Sequence, residues 1–155
     1  MRKKRKFKKI HNPDIKYDNT AVSRFINYLM KGGKKNTAEH ILYSAFDIVE
    51  KEIKTEPLPV FEKAVENASP QLEVFSKRIG GANYQVPREV RPQRKFFLAC
   101  NWIINAARNG KGKPMAKKLA QEIILASKNE GEAIRKKQNM HKMAEANRAF
   151  AHFAR

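Results

Sequence analysis

Cysteine is nearly missing from this chain: Cys100 is the only one among 155 residues. One thiol forms no internal disulfide framework and builds no zinc site from clustered thiolates, so a reducing compartment is expected. Long apolar runs are missing as well, and none approaches the roughly 18 residues of a membrane span. There is no P-loop, no dinucleotide-binding fingerprint and no Gly-x-Ser-x-Gly elbow. The four histidines, His11, His40, His141 and His152, fall in different segments. Only His141 and Glu145 share an i, i+4 spacing, and on a basic helix that pair reads as a local polar contact rather than as a metal site. Cys100 lies beside Phe97 and Ile104 on an apolar face and reads as an inert buried thiol. No catalytic residue, metal or cofactor is expected, and the chain is read as a non-enzyme.

Acid is the other shortage. Against 33 Lys and Arg stand 15 Asp and Glu, a net charge of +18 that favours a polyanionic partner. RNA, DNA and an anionic membrane are the candidates, and charge alone does not separate the first two. A membrane partner is not expected, because the basic C-terminal helix lacks the bulky Trp, Phe and Leu content of interfacial helices. The length fits one domain, residues 1–155, with a core of its own.

The first nine residues, MRKKRKFKK, hold seven basic side chains and no acid. Their self-repulsion predicts an extended arm over 1–12, in which Arg2, Lys3, Lys4, Arg5, Lys6, Lys8 and Lys9 order on a polyanion. The run lacks the apolar stretch of a signal peptide and the Ser-rich character of a transit peptide, so it is expected to belong to the working protein.

Beyond Pro13 the pattern is helical. Capping residues Asp18, Asn19 and Thr20 precede a stripe of Val22, Phe25, Ile26, Leu29 and Met30, ended by Gly32-Gly33. Asn36 or Thr37 is placed to cap a second helix carrying Ala38, Ile41, Leu42, Ala45, Ile48, Val49 and Ile53, antiparallel to the first. Pro59 suits the first turn of a third, and Pro70 stops it. Pro92 opens a fourth whose wide apolar face marks it as the central core helix. Met115, Leu119, Ala120, Ile123 and Ile124 line a fifth, and a thinner stripe predicts a sixth from about Glu132 to Phe150.

Between the third and fourth helices the period changes to two. Leu72 to Ile79 and Tyr84 to Arg91 read as strands of a β-hairpin, joined by Gly80-Gly81-Ala82-Asn83, residues that tolerate positive φ. With Ile79 opposite Tyr84, one face carries Phe75, Lys77, Ile79, Tyr84, Val86 and Arg88, and the other Ser76, Arg78 and Gln85. From Lys77 to Lys95 there are six basic residues and one acid, Glu89. A two-stranded ribbon is marginal alone, so it should project from the helices and rest on something else. The fold class is therefore mainly α, a single-domain bundle of about six helices with a protruding hairpin.

Two segments carry a resemblance. RIGGANYQVPREVRP, Arg78 to Pro92, and MAEANRAFAH, Met143 to His152, resemble the signatures of the small-subunit ribosomal protein seven family. Gly33-Lys34-Lys35 before Thr37-Ala38-Glu39, and Leu98 to Trp102, are also similar to its bacterial and organellar members. Gln138-Asn139 departs from the Arg-Glu pair expected there. The resemblance implies a protein that binds the 3′ major domain of the 16S-type ribosomal RNA and nucleates assembly of the small-subunit head, in a bacterial cytoplasm or an organelle. It implies contacts with small-subunit proteins nine and eleven, with exit-site tRNA and with mRNA near the exit channel. Carried onto this sequence, it puts Lys77, Arg78, Arg88 and Arg91 on RNA from the hairpin. It also puts the tip, Gly80, Gly81, Ala82, Asn83 and Tyr84, together with Arg148 and His152 of a C-terminal extension over 148–155, near exit-site tRNA.

The remaining candidates come from the residues themselves. Lys34 and Lys35 in one loop and Lys111 and Lys113 in another are fixed by the bundle, and Arg94 and Lys95 flank the hairpin. Arg78, Arg91 and Arg94 offer planar forks to phosphates, which Lys does not. Tyr84 is read as packing on the ribbon, with stacking on a base as the alternative.

Overall fold

In the computed structural model, which describes residues 11–154, six α-helices and a terminal 3-10 helix frame one hairpin. Helix α1, Thr20–Leu29, begins where Asn19 Oδ1 accepts the Ala21 N–H at 2.7 Å. Its apolar stripe is buried from Val22 to Leu29, with Met30 half-buried at the C-cap, and Phe25 meets Phe61 edge-to-face at 5.2 Å between ring centroids. Gly32 and Gly33, both at positive φ, turn the chain so tightly that α2, Lys35–Ile53, starts at once. Lys34 stands at its N-cap without a side-chain bond, so the expected cap at Asn36 or Thr37 is corrected: both residues lie inside the first turn. Helix α3, Pro57–Ala68, has Pro57 at its first position and Pro59 within its first turn.

Strands β1, Leu72–Ile79, and β2, Ala82–Glu89, pair antiparallel with Ile79 opposite Ala82 and Lys77 opposite Tyr84. The register is thus two residues tighter than expected. Gly80 at φ +57° and Gly81 at φ +90° make a two-residue turn by themselves, and Ala82 and Asn83 join the strand. A shift of two leaves every side chain on its expected face, because strand side chains alternate with period two. The second strand ends at Glu89. Arg91 becomes the N-cap of α4, Pro92–Asn109.

Helix α5, Met115–Ser127, packs on α2, α3 and α4, and also touches α6, Glu132–Ala146. Helix α4 touches α1, α3, α5 and α6, so the centre is shared by α4 and α5 rather than held by α4 alone. Asn67 of α3 ties these elements together. Its Nδ2 donates to the terminal carbonyls of α5 at Ala126 and Ser127, both at 3.0 Å, and its own carbonyl accepts from Lys137 Nζ of α6. The expected continuous helix to Phe150 is broken. At Asn147 the side-chain amide donates to the Met143 carbonyl at 2.8 Å, and a 3-10 helix over Arg148–Ala154 follows.

That 3-10 helix and α6 are what the hairpin rests on. Tyr84 packs against Phe150 and Phe153 at 5.2 and 5.6 Å, and Lys77 Nζ donates to the Phe153 carbonyl at 2.6 Å. At the hairpin base the Gln71 N–H donates to His141 Nε2 at 3.1 Å, which requires a neutral ring with its proton on Nδ1. Burial first, and the charge of Lys137 second, hold His141 below the ordinary histidine value. The unfolded chain therefore takes up this proton more readily. The contribution is complete above the unfolded value, about pH 6.5, and is lost as the pH falls from there toward the lower folded value. The melting temperature is expected to decline over that interval, and His141→Gln, which keeps an acceptor, should flatten the profile.

Candidate nucleic-acid interface

Two groups of the candidate basic residues stand at the two ends of α4, which at 18 residues spans about 27 Å. At its C-terminal end Arg108 Nη2 donates to the Leu29 carbonyl at 2.9 Å, bringing the α1–α2 loop against the α4–α5 junction. Lys31, Lys34, Arg108 and Met115 line one groove there. Lys34 and Lys35 thus share this end with Lys111 and Lys113. Lys113 Nζ donates to Gln121 Oε1 at 3.3 Å, and Lys35 lies 3.5 Å from Glu39; both lysines stay exposed.

At the other end α4 begins with Arg91, Arg94 and Lys95 and has no acid in its first turn. Cations at the positive end of a helix dipole destabilise the unliganded protein slightly and favour an anion there. The hairpin base adds Arg88. Glu73, 8 % exposed at its side chain, accepts from Arg88 Nε at 2.9 Å and Nη2 at 2.7 Å on one oxygen, and from Arg94 Nε at 3.2 Å on the other. Burial works to raise the Glu73 carboxyl. The hydrogen bonds and charges of Arg88 and Arg94 outweigh it and hold the group below the ordinary carboxylate value.

Aromatic rings continue this arrangement into the bundle. The Arg88 guanidinium lies 4.7 Å from the centroid of Phe75, and that of Arg94 5.1 Å from Phe97. Tyr28 meets Phe97 edge-to-face at 5.3 Å, and Arg24 of α1 lies 4.2 Å from Phe96. A band of guanidinium and aromatic groups therefore runs from α1 across the first turns of α4 to the hairpin base. Sequence reading found Arg88, Arg91, Arg94 and Lys95 but not Arg24, Arg108 or the role of Glu73. Arg24 does stand four residues after Thr20 on the polar side of the α1 stripe, the signal that was available.

The other expected positions fall as follows. Arg78 is exposed near the tip, and Arg91 is exposed at the base. Arg148 lies 3.7 Å from Glu145, and His152 Nδ1 lies 2.9 Å from the Ala149 carbonyl, both on the C-terminal segment that covers Tyr84. Tyr84 packs on that segment, not on other ribbon side chains alone. Arg2, Lys3, Lys4, Arg5, Lys6, Lys8 and Lys9 lie outside the described residues, as does Arg155. Cys100 is fully buried, and burial pushes its thiol far up. Among the described residues no three or more His, Cys, Asp or Glu side chains gather as a metal site would require, and no helix is long and apolar enough to cross a membrane.

Comparison with known proteins places the chain among relatives. The family model described as ribosomal protein S7p/S5e matches residues 1–148. The small ribosomal subunit protein uS7 of Thermotoga petrophila is 55% identical over 141 residues, 91% of each chain. That of Thermotoga neapolitana is 51% identical over 153 residues, 99% of each, and that of Sorangium cellulosum 52% over 141, covering 91% of this chain and 90% of the relative. With the match running through the bundle, the hairpin and α6, this chain belongs to the ribosomal protein S7p/S5e family.

Proposed function

We propose that the chain is a structural component of the small ribosomal subunit that binds the 3′ major domain of its 16S-type RNA as a primary binder, nucleates assembly of the head and borders exit-site tRNA. The family is structural and non-enzymatic. The observation that carries the RNA reading is the hairpin base, where Arg88, Arg91, Arg94 and Lys95 surround the acid-free start of α4. Shape must supply specificity, because the deep major groove of A-form RNA hides base edges and leaves junctions, bulges and 2′-hydroxyls to be read. Two basic ends about 27 Å apart suit a junction of helices better than a single groove.

The same reading puts Lys34, Lys35, Lys111 and Lys113 on phosphates from the far end, with the arm from Arg2 to Lys9 ordering between RNA helices. It assigns the tip, Gly80 to Tyr84, and Arg148 and His152 to the exit-site side. The contact of Tyr84 with Phe150 and Phe153 supports this assignment, since it joins the hairpin and the C-terminal segment into one surface. Small-subunit proteins nine and eleven, and mRNA near the exit channel, are the further partners of this reading.

The test is equilibrium binding to a transcript of the 3′ major domain junction across a salt series, with an unrelated RNA of equal length and a DNA duplex as competitors. Tight binding that survives both competitors is expected. With six to ten phosphate contacts, affinity should fall roughly a thousandfold or more from low to moderate salt. Equal affinity for all three nucleic acids would overturn junction recognition.

A further inference from the structure

We infer that Glu73 is a positioning residue for RNA, an acid that strengthens polyanion binding by fixing Arg88 and Arg94 as one preformed pair of phosphate-binding forks. The inference rests on the RNA reading above and deepens it. An acid on a polyanion-binding face ordinarily weakens binding, because it repels phosphate and cancels a cation. The geometry at the hairpin base reverses that expectation.

Glu73 binds each arginine from the inside. It engages Nε and Nη2 of Arg88 and Nε of Arg94, while the two arginine side chains remain 50% and 49% exposed. A guanidinium carries five N–H donors. Among the described residues, Nη1 of Arg88 and both terminal nitrogens of Arg94 have no other acceptor, so their N–H groups remain to meet a phosphate. The rings of Phe75 and Phe97 lie against the two guanidinium groups and limit how far each can turn. One acid and two arginines leave a net positive charge at the mouth of the site, next to the exposed Arg91. Glu73 stands on β1, Arg88 on β2 and Arg94 on α4, so the same carboxylate also fixes the hairpin relative to the bundle. A long arginine held in one conformer before binding loses less rotamer freedom on binding, which is the source of the gain.

The sign of a charge-removing substitution tests this. Glu73→Gln raises the net charge by one, so electrostatics alone would tighten binding to the 3′ major domain transcript. The positioning role predicts the opposite, a loss of about tenfold in affinity at equal salt. Glu89→Gln, at an exposed acid of the same ribbon, makes the same change in charge and should leave binding unchanged or slightly tighter. A second variant needs no change at Glu73: Arg88→Lys with Arg94→Lys keeps both charges and removes both forks. It should lose affinity with little change in salt slope, and adding Glu73→Gln to it should cost nothing further. Melting curves define a temperature at which every compared variant is folded. Tightening by Glu73→Gln equal to that of Glu89→Gln, or full affinity in the double lysine variant, overturns the positioning role. No binding by the unaltered chain overturns the RNA reading itself, and the inference with it.

Discussion

Gly131→Ala is expected to lower the melting temperature by roughly 10 °C, from about 3 kcal/mol of strain and clash. Gly131 is the N-cap of α6 at φ +95° and ψ 174°, a region that essentially only glycine occupies. A Cβ there would lie 2.9 Å from Glu122 Oε1 and 3.2 Å from Leu125 Cβ. Side-chain oxygens often swing away cheaply. This one does not, because Glu122 is 8% exposed and the same Oε1 accepts the Ala133 N–H at 2.9 Å, capping the first turn of α6. Burial pushes the Glu122 carboxyl up.

The two contributions separate in a double-mutant cycle. Glu122→Ala removes the contact at Oε1 but not the one with Leu125, and leaves the Ala133 N–H without its partner, at about 1–3 kcal/mol. Gly131→Ala should then cost less in the Glu122→Ala background than alone, the difference measuring the conflict with the Glu122 side chain. A Gly131→Ala protein melting within a degree of the unaltered chain would show that the start of α6 shifts freely. Since α6 supports the hairpin, such a shift would also free the hairpin from its fixed angle.

What could be read in the sequence followed from local chemistry. Asn19, Pro92 and the Gly32-Gly33 pair each announce a helix boundary through an interaction within a few residues. The hairpin faces were legible for the same reason, but its register was not. Gly80-Gly81 alone and Gly80 to Asn83 together are both acceptable turns, and a shift of two residues changes no face. The break at Asn147 hides in an Ala-rich run of high helix propensity, and what favours the 3-10 path is contact with Tyr84, far back along the chain. Glu73 escapes such a reading because it lies just before the basic stretch, and its partners are 15 and 21 residues on. The candidate site was legible as charge. Its organisation was not, since pairing between elements follows packing that no window of sequence contains.

Replacing Lys77, Arg78, Arg88 and Arg91 together with Ala is expected to weaken binding to the 3′ major domain transcript by about two to three orders of magnitude, and to lower the slope of log affinity against log salt by up to about 3. The four residues should divide into two kinds. Arg78 and Arg91 are exposed, and among the described residues neither takes part in an ion pair. Their removal should reduce the slope by about 0.7–0.9 each and leave the melting temperature unchanged. Lys77 and Arg88 have structural duties besides, one on the Phe153 carbonyl that holds the C-terminal segment, the other on Glu73. Removing them should lower the melting temperature as well as affinity, because Glu73 then keeps only Arg94 as a partner for its buried charge. The paired variants Arg78→Ala/Arg91→Ala and Lys77→Ala/Arg88→Ala, each followed by melting and by binding across a salt series, distinguish phosphate contact from support of the hairpin. A quadruple variant with the native salt slope would take the hairpin off the RNA surface. The interface would then have to lie at the opposite end of α4, with Lys34, Lys35, Lys111 and Lys113, and along the arm from Arg2 to Lys9, and the ordered hairpin base would serve the fold alone.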